Sequence, residues 1–379
     1  MRKSERRPAR SSGAARRIAR RRLATFPALA LALLAAACAV PREAPPGPRA
    51  GPPEIAADAF LTRDGLALPL RRWAPGEAAG DASATSPTTP AAPAAPAAPA
   101  APPKAVILAL HGFNDYSNAF REIGPKLAAH GFLVYAYDQR GFGAAPHRGL
   151  WPGSARMTAD AIDAARLLAR RHAPARLYLL GLSMGGAVAM TALAERPDLA
   201  AGAILVAPAV RGRGHLPKWQ LWALDAAVAT IPWFPATGEG LNIRPTDNIG
   251  ELRRMSRDRN VIKETRLDAI HGLVDLMTRA AASAPAQKTP LLLQYGLKDD
   301  LVPMTPTLAA LKALPAPLAG RPTHRIAVYP DGRHMLLRDL AGDRAIADIA
   351  AWIADPAAPL PSGADRAALD RLAEAAAGE

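Results

Sequence analysis

Gly181-Leu182-Ser183-Met184-Gly185 places a serine between two glycines. A serine hydroxyl attacks a carbonyl only when an imidazole takes its proton and a carboxylate orients that imidazole. Chain order for such a set on an α/β sheet is serine, acid, histidine. After Ser183 the acid candidate is Asp299, in Gly296-Leu-Lys-Asp299-Asp300, and the base candidate is His334, in Pro330-Asp-Gly-Arg-His334. Asp300 is the rival acid. His111 precedes the serine and reads as part of a structural loop. A tetrahedral intermediate also needs two N–H donors for its oxyanion. The Met184 amide, just after the serine, is one; the Phe113 amide, in His111-Gly112-Phe113-Asn114-Asp115, is the other. Gly112 is expected to let that backbone approach closely.

These residues need a scaffold that brings them to one edge. Ala175-Arg-Leu-Tyr-Leu-Leu180 is an apolar run that feeds the serine turn, and Gly186–Ala194 follows as a good helix former. Lys104–Leu110, Phe132–Tyr137, Ala203–Ala207, Leu291–Tyr295 and Arg325–Tyr329 are further apolar strands. Met157–His172 is an amphipathic helix between two of them. Such alternation predicts an α/β class: a mostly parallel sheet with helices on both faces. Ser183, Asp299 and His334 then all follow strand ends at the carboxyl edge, where open α/β sheets bind ligands. Phe60–Trp73 predicts a β-hairpin turning at Asp64-Gly65. Asp138 and Arg140 are expected to form a loop-stabilising ion pair.

The chain of 379 residues carries a net +14, yet residues 1–37 supply +9 of it, from ten Lys/Arg and one Glu. That distribution argues against nucleic acid as a partner. A basic stretch to Arg22 followed by the apolar Leu23–Ala37 reads as an export signal, too short for a comfortable membrane span. Arg21-Arg22 is a weak twin-arginine candidate. Cys38, the sole cysteine, follows directly, so no intramolecular disulfide can form. Leu34-Ala-Ala-Ala-Cys38 is similar to a bacterial lipoprotein signal, with Ala35 where Leu is usual. Ordinary cleavage near Ala37 or Ala39 is the alternative. The expected organisation is a lipoprotein-type signal peptide at 1–37, a tether at 38–57, one domain at 58–355 and a C-terminal tail at 356–379. The Ala/Pro-rich segment 74–103 is expected as a solvated loop within that domain. Between Pro208 and Pro290 the alternation stops, and 208–290 reads as an insertion between sheet strands.

His111-Gly112-Phe113, Asp138-Gln-Arg140-Gly141-Phe-Gly143, Gly181-Leu-Ser183-Met184-Gly185-Gly186, Gly296-x-x-Asp299-x-x-Val302-Pro303 and His334 together resemble the monoacylglycerol lipase/lysophospholipase branch of the α/β-hydrolase superfamily. The resemblance implies an α/β-hydrolase fold with a helical cap at 208–290. It implies a serine hydrolase in which Ser183 is nucleophile, His334 base and acid, and Asp299 the orienting carboxylate; the family spacing favours Asp299 over Asp300. Phe113 and Met184 would form the oxyanion hole. The expected substrate is a carboxylic ester of a single-chain lipid, monoacylglycerol or lysophospholipid, with no metal and no cofactor. Trp219, Trp222, Trp233 and Phe234 cluster in the cap, as core packing or as an acyl-lining, membrane-touching lid. A general carboxylesterase and an aminopeptidase are alternatives on the same fold; a non-catalytic lipid-binding envelope lipoprotein is the alternative of another class. Export predicts a bacterial cell-envelope protein, lipid-anchored through Cys38, or else periplasmic or secreted.

Overall fold

Among the described residues, nine strands form a single sheet whose order is not that of the chain. The computed structural model describes residues 43–77, 102–238, 240, 243–315 and 324–379. The signal segment, Cys38 and most of the 74–103 segment lie outside the described residues.

The sheet strands are β1 (Glu54–Ile55), β2 (Ala59–Leu61), β3 (Ala67–Trp73), β4 (Ala105–Leu110), β5 (Phe132–Tyr137), β6 (Arg176–Leu182) and β7 (Gly202–Val206). Two short strands, β8 (Pro235–Thr237) and β9 (Glu264–Arg266), pair separately, and β10 (Leu291–Gly296) and β11 (Arg325–Tyr329) complete the main sheet. Its order is β1-β2-β3-β5-β4-β6-β7-β10-β11. From β5 to β11 every pairing is parallel. The hairpin at Asp64-Gly65 forms as predicted, with Gly65 at φ 81°, and adds an antiparallel flank through β3 and β5. The 74–103 segment thus joins two strands of one sheet.

Strands β4, β5, β7 and β10 are buried at every residue, which is why they read as unbroken apolar runs. Alternate side chains serve opposite faces. Val106, Leu108 and Leu110 pack with α2 (Ser154–Arg171) and α3 (Met184–Glu195) on one side, whereas Ile107 and Ala109 pack with α1 (Ile123–Ala129) and α8 (Gly342–Ala354) on the other. Between β7 and β10 the cap carries α4 (Lys218–Thr230), α5 (Ile249–Arg257) and α6 (Leu267–Ser283), together with the unforeseen β8–β9 pair. Helix α7 (Met304–Lys312) follows β10.

Both ends of the domain extend further than expected. Ala44 is buried and its amide donates to Trp151 O at 2.7 Å, so the described part of the expected tether packs on the domain. The expected tail carries α9 (Ala368–Ala377), with Leu372 wholly buried. Asp365 pairs with Arg325 at 2.7 Å, and the Glu379 carboxylate accepts from the Met304 and Thr305 amides at the start of α7. Ala368 and Leu372, one turn apart, are the buried residues of this helix, and the charges lock its flanks.

Candidate active site

Ser183 stands on the turn between β6 and α3 at φ 49°, ψ −111°, a strained conformation for a residue with a Cβ. The turn is this tight because strand and helix nearly touch. A Cβ at Gly181 would lie 2.5 Å from Gly185 O, and one at Gly185 would lie 2.1 Å from Leu110 O. The backbone is pinned on both sides: Ser183 N donates to Val206 O at 2.9 Å, and Ser183 O accepts from Ala187 N at 3.1 Å and Ala209 N at 3.0 Å. The side chain makes no hydrogen bond with any described residue, so its hydroxyl is left for a ligand.

His334 and Asp299 meet because two loops close on each other. A Cβ at Gly296 would sit 2.3 Å from Gly332 O, and Lys298 N donates to Gly332 O at 2.9 Å. His334 Nδ1 lies 2.8 Å from Asp299 Oδ2. The other Asp299 oxygen accepts from the Leu301 and Val302 amides at 2.8 and 2.9 Å, and the side chain is fully buried. With its proton on Nδ1, the imidazole presents a bare Nε2 lone pair. Asp300 points away: its carboxylate is 45% exposed and approaches Arg244 N and Arg333. Ser183 and His334 line one cavity of about 450 Å³, with Gly112 and Phe113 beside them.

Neither the Phe113 amide nor the Met184 amide bonds to a described residue, so both are available as donors. Gly112 does not need its missing side chain for space, contrary to expectation. A Cβ there would make ordinary contacts at 3.6 Å with Leu182 O and Ser183 Cβ. The loop is held instead by its neighbours. His111 is fully buried; its Nε2 accepts from Gln139 N at 2.9 Å and its Nδ1 lies 2.8 Å from Gly112 O. Burial lowers its pKa, so it sits neutral as a staple between two loops. The Phe113 ring stacks edge-on to Phe142 and lies against Trp151, which in turn abuts Gly272 of α6.

Asp138 and Arg140 do not pair with each other. Asp138 caps the next turn through Ser117 and Ala144, whereas Arg140 binds Asp64 and Asp160. Being two apart on an irregular loop, they face different elements. Arg140 holds the Asp64 carboxyl well below the usual carboxylate range and so locks the hairpin to α2.

A buried network went unforeseen. Arg338 binds Asp115 at 2.7 Å and Glu251 of α5 at 3.1 Å, and Glu251 also holds Arg254. Asn114 Nδ2 donates to Thr265 Oγ1 at 2.7 Å, and Ile262 N donates to Asn114 O at 2.9 Å. The loop carrying Phe113 is thereby tied to the cap. No local pattern signals a pairing between residues 115 and 338. Arg338→Met should lower stability by about 3 kcal/mol, because it leaves buried Asp115 without a cation while Glu251 keeps only Arg254. Urea denaturation measures this, and an unchanged midpoint would show that the network adds nothing.

Of the readings of the cap aromatics, core packing fails at Trp219, Trp222 and Phe234 and acyl-lining fails at all four, whereas exposure agrees with the membrane-touching one. Trp219 and Trp222 are 69% and 74% exposed and Phe234 is 53% exposed; none of them, nor the half-buried Trp233, lines the cavity. They sit on and just after α4, whose outer side no described residue covers. The cavity wall is built by Val206, Leu216, Met255, Leu273, Val274 and Met277, among others.

A family model described as serine aminopeptidase, S33 matches residues 101–341, which is most of the chain. The chain belongs to the S33 serine aminopeptidase family. As an S33 member it is a serine hydrolase with an α/β-hydrolase fold. It is 26% identical over 266 residues to a monoacylglycerol lipase of Mycolicibacterium smegmatis, covering 66% of this chain and 88% of that one. It is 23% identical over 248 residues to a human monoglyceride lipase, covering 63% of this chain and 78% of that one. Among solved structures, a Paleococcus ferrophilus monoacylglycerol lipase superposes with a TM-score of 0.58 at 19% identity, over 76% of this chain and 98% of the other. A soluble variant of Saccharomyces cerevisiae monoglyceride lipase gives 0.58 at 14% identity, over 83% and 97%. At those identities the structural likeness speaks to the fold of this S33 protein alone.

Proposed function

We propose that this protein cleaves the carboxylic ester of a single-chain lipid, monoacylglycerol or lysophospholipid, through an acyl-enzyme. The observation that carries the reading is the 2.8 Å contact of His334 with buried Asp299 in the cavity that also holds Ser183. In this reading His334 Nε2 takes the hydroxyl proton as Ser183 Oγ bonds to the ester carbon. The carbonyl oxygen gains the negative charge, and the Phe113 and Met184 amides stabilise it. Collapse expels the alcohol, which takes the proton from His334; water then repeats the sequence and frees the fatty acid. The Ser183–His334 hydrogen bond forms on substrate binding. A largely aliphatic wall suits an acyl chain, and the names of the lipase relatives agree with it.

The family's description offers aminopeptidase activity as a second reading. An aminopeptidase must hold the substrate's ammonium. Among the described residues the cavity wall has one carboxylate, Asp115, and Arg338 already neutralises it. That favours esters. Labelling with a fluorophosphonate, followed by p-nitrophenyl esters of rising chain length alongside monoacylglycerol and lysophosphatidylcholine, tests the proposal. Cleavage of aminoacyl anilides with no cleavage of esters would replace it.

The protein is further proposed to be exported and anchored in the cell envelope by acylation of Cys38. Among the described residues no helix is long and apolar enough to cross a membrane. Two acyl signals give stable membrane attachment where one gives little. Cys38→Ala should move the protein from the membrane fraction to the soluble fraction or block its processing. Mass spectrometry that finds a mature N-terminus beyond Cys38 would rule the anchor out.

A further inference from the structure

Arg211 lines the cavity that holds Ser183 and His334, yet its guanidinium has no hydrogen bond and no ion pair with any described residue. Its neighbours are matched. Arg338 has Asp115 and Glu251, and Arg213, two residues on, has Asp225 and Asp275. The chain between the two arginines is fixed. A Cβ at Gly212 would meet Thr278 Cα of α6 at 2.8 Å, and Arg213 N donates to Thr278 Oγ1 at 2.9 Å. Arg211 is therefore held at the cavity while Arg213 turns to the carboxylates of the cap. With Asp115 and Arg338 cancelling, Arg211 is the one uncompensated positive charge among the described residues of the wall, beside aliphatic side chains.

The place of that charge relative to the serine is constrained. Ala209 N donates to Ser183 O at 3.0 Å, and Arg211 follows two residues later, at most about 7 Å of extended chain. The side chain adds its own reach. An anion one glycerol away from the scissile ester falls in range. A planar guanidinium binds phosphate or carboxylate through paired N–H donors, and it does so best where water is scarce.

We propose that Arg211 binds an anionic oxygen group carried by the substrate, so that phosphate-bearing lysophospholipid-type esters are preferred over neutral monoacylglycerols. The inference rests on the ester-hydrolase reading and narrows it. The same chemistry could come from a carboxylate at the far end of the acyl chain, so two substrate pairs are compared. One is 1-octanoylglycerol with 1-octanoylglycerol 3-phosphate; the other is methyl octanoate with the monomethyl ester of octanedioic acid, all below micellar concentration. The wild-type protein should favour the phosphate over its neutral partner by about tenfold or more in kcat/KM, as expected for one charge-assisted contact. Arg211→Gln should bring that ratio near one, mainly through KM, and Arg211→Lys should keep part of it. The ratio is read on a single preparation, so partial unfolding cancels. A preference that appears only in the half-ester pair and vanishes in Arg211→Gln supports anion binding with the carboxylate as its source and overturns the preference for phosphate-bearing esters. Ratios near one in the wild type, or ratios that survive Arg211→Gln, overturn the assignment and leave the ester-hydrolase reading intact. A protein that cleaves none of the four esters overturns both.

Discussion

Ser183→Ala should reduce kcat on a soluble p-nitrophenyl ester by about 10⁴-fold or more. In the proposed mechanism the hydroxyl oxygen is the atom that bonds to the ester carbon, and no other described nucleophile stands beside His334 in the cavity. The fold should survive the change. The serine side chain makes no hydrogen bond with any described residue, and the three backbone bonds at this position, to Val206 and from Ala187 and Ala209, do not involve it. Alanine meets the same strain at φ 49° as serine does, since both carry one Cβ. Melting temperature should therefore stay within a few degrees while turnover disappears. Wild-type hydrolysis by this variant would remove the serine-hydrolase mechanism.

Asp299→Asn should cost about 10³–10⁴-fold in kcat, against less than about threefold for Asp300→Asn. The asparagine can keep its carbonyl oxygen under the Leu301 and Val302 amides, because those are donors. Its NH₂ group must then face His334 Nδ1. That nitrogen can only accept, so the imidazole proton moves to Nε2 and the base is lost at the position where the serine needs it. Geometry survives and chemistry does not. Asp300 is half in solvent and offers only long contacts, to Arg244 N at 3.2 Å and Arg333 at 3.5 Å. Its charge is screened and its removal is mild. The assignment fails if Asp300→Asn proves the more damaging of the two.

The central sheet and the Ser183–Asp299–His334 edge were legible because each depends on local signals. Buried parallel strands need unbroken apolar runs, and a serine turn this tight needs glycine at 181 and 185. What escaped depends on partners far along the chain. The Asp115–Arg338 bond spans 223 residues, and the cavity cation Arg211 stands out only once its neighbours' partners are known. Asp138 and Arg140 were paired by proximity in sequence, yet each is claimed by a different element. Sequence could not choose between core packing and a lid for the cap aromatics, because apolar side chains serve either; α4 leaves Trp219 and Trp222 in the open. The C-terminal helix was hidden by its alanines: few large apolar residues were visible, and Leu372 alone anchors much of its inner face.

The loop that presents the Phe113 amide is tied to the cap at Asn114 and, through Arg338, at Asp115. If the Phe113 amide serves the oxyanion as proposed, substrate selection and rate enhancement would share one equilibrium. On that proposal, a ligand that seats the cap more firmly would also firm the Phe113 donor, and by reciprocity a transition-state analogue should tighten the cap. Directed evolution of acyl preference would meet the same constraint. Changes at Thr265 or Glu251, which touch no ester, would alter turnover, whereas changes at Leu216 or Met277, which line the wall without joining that network, would alter chain-length choice with the donor left in place.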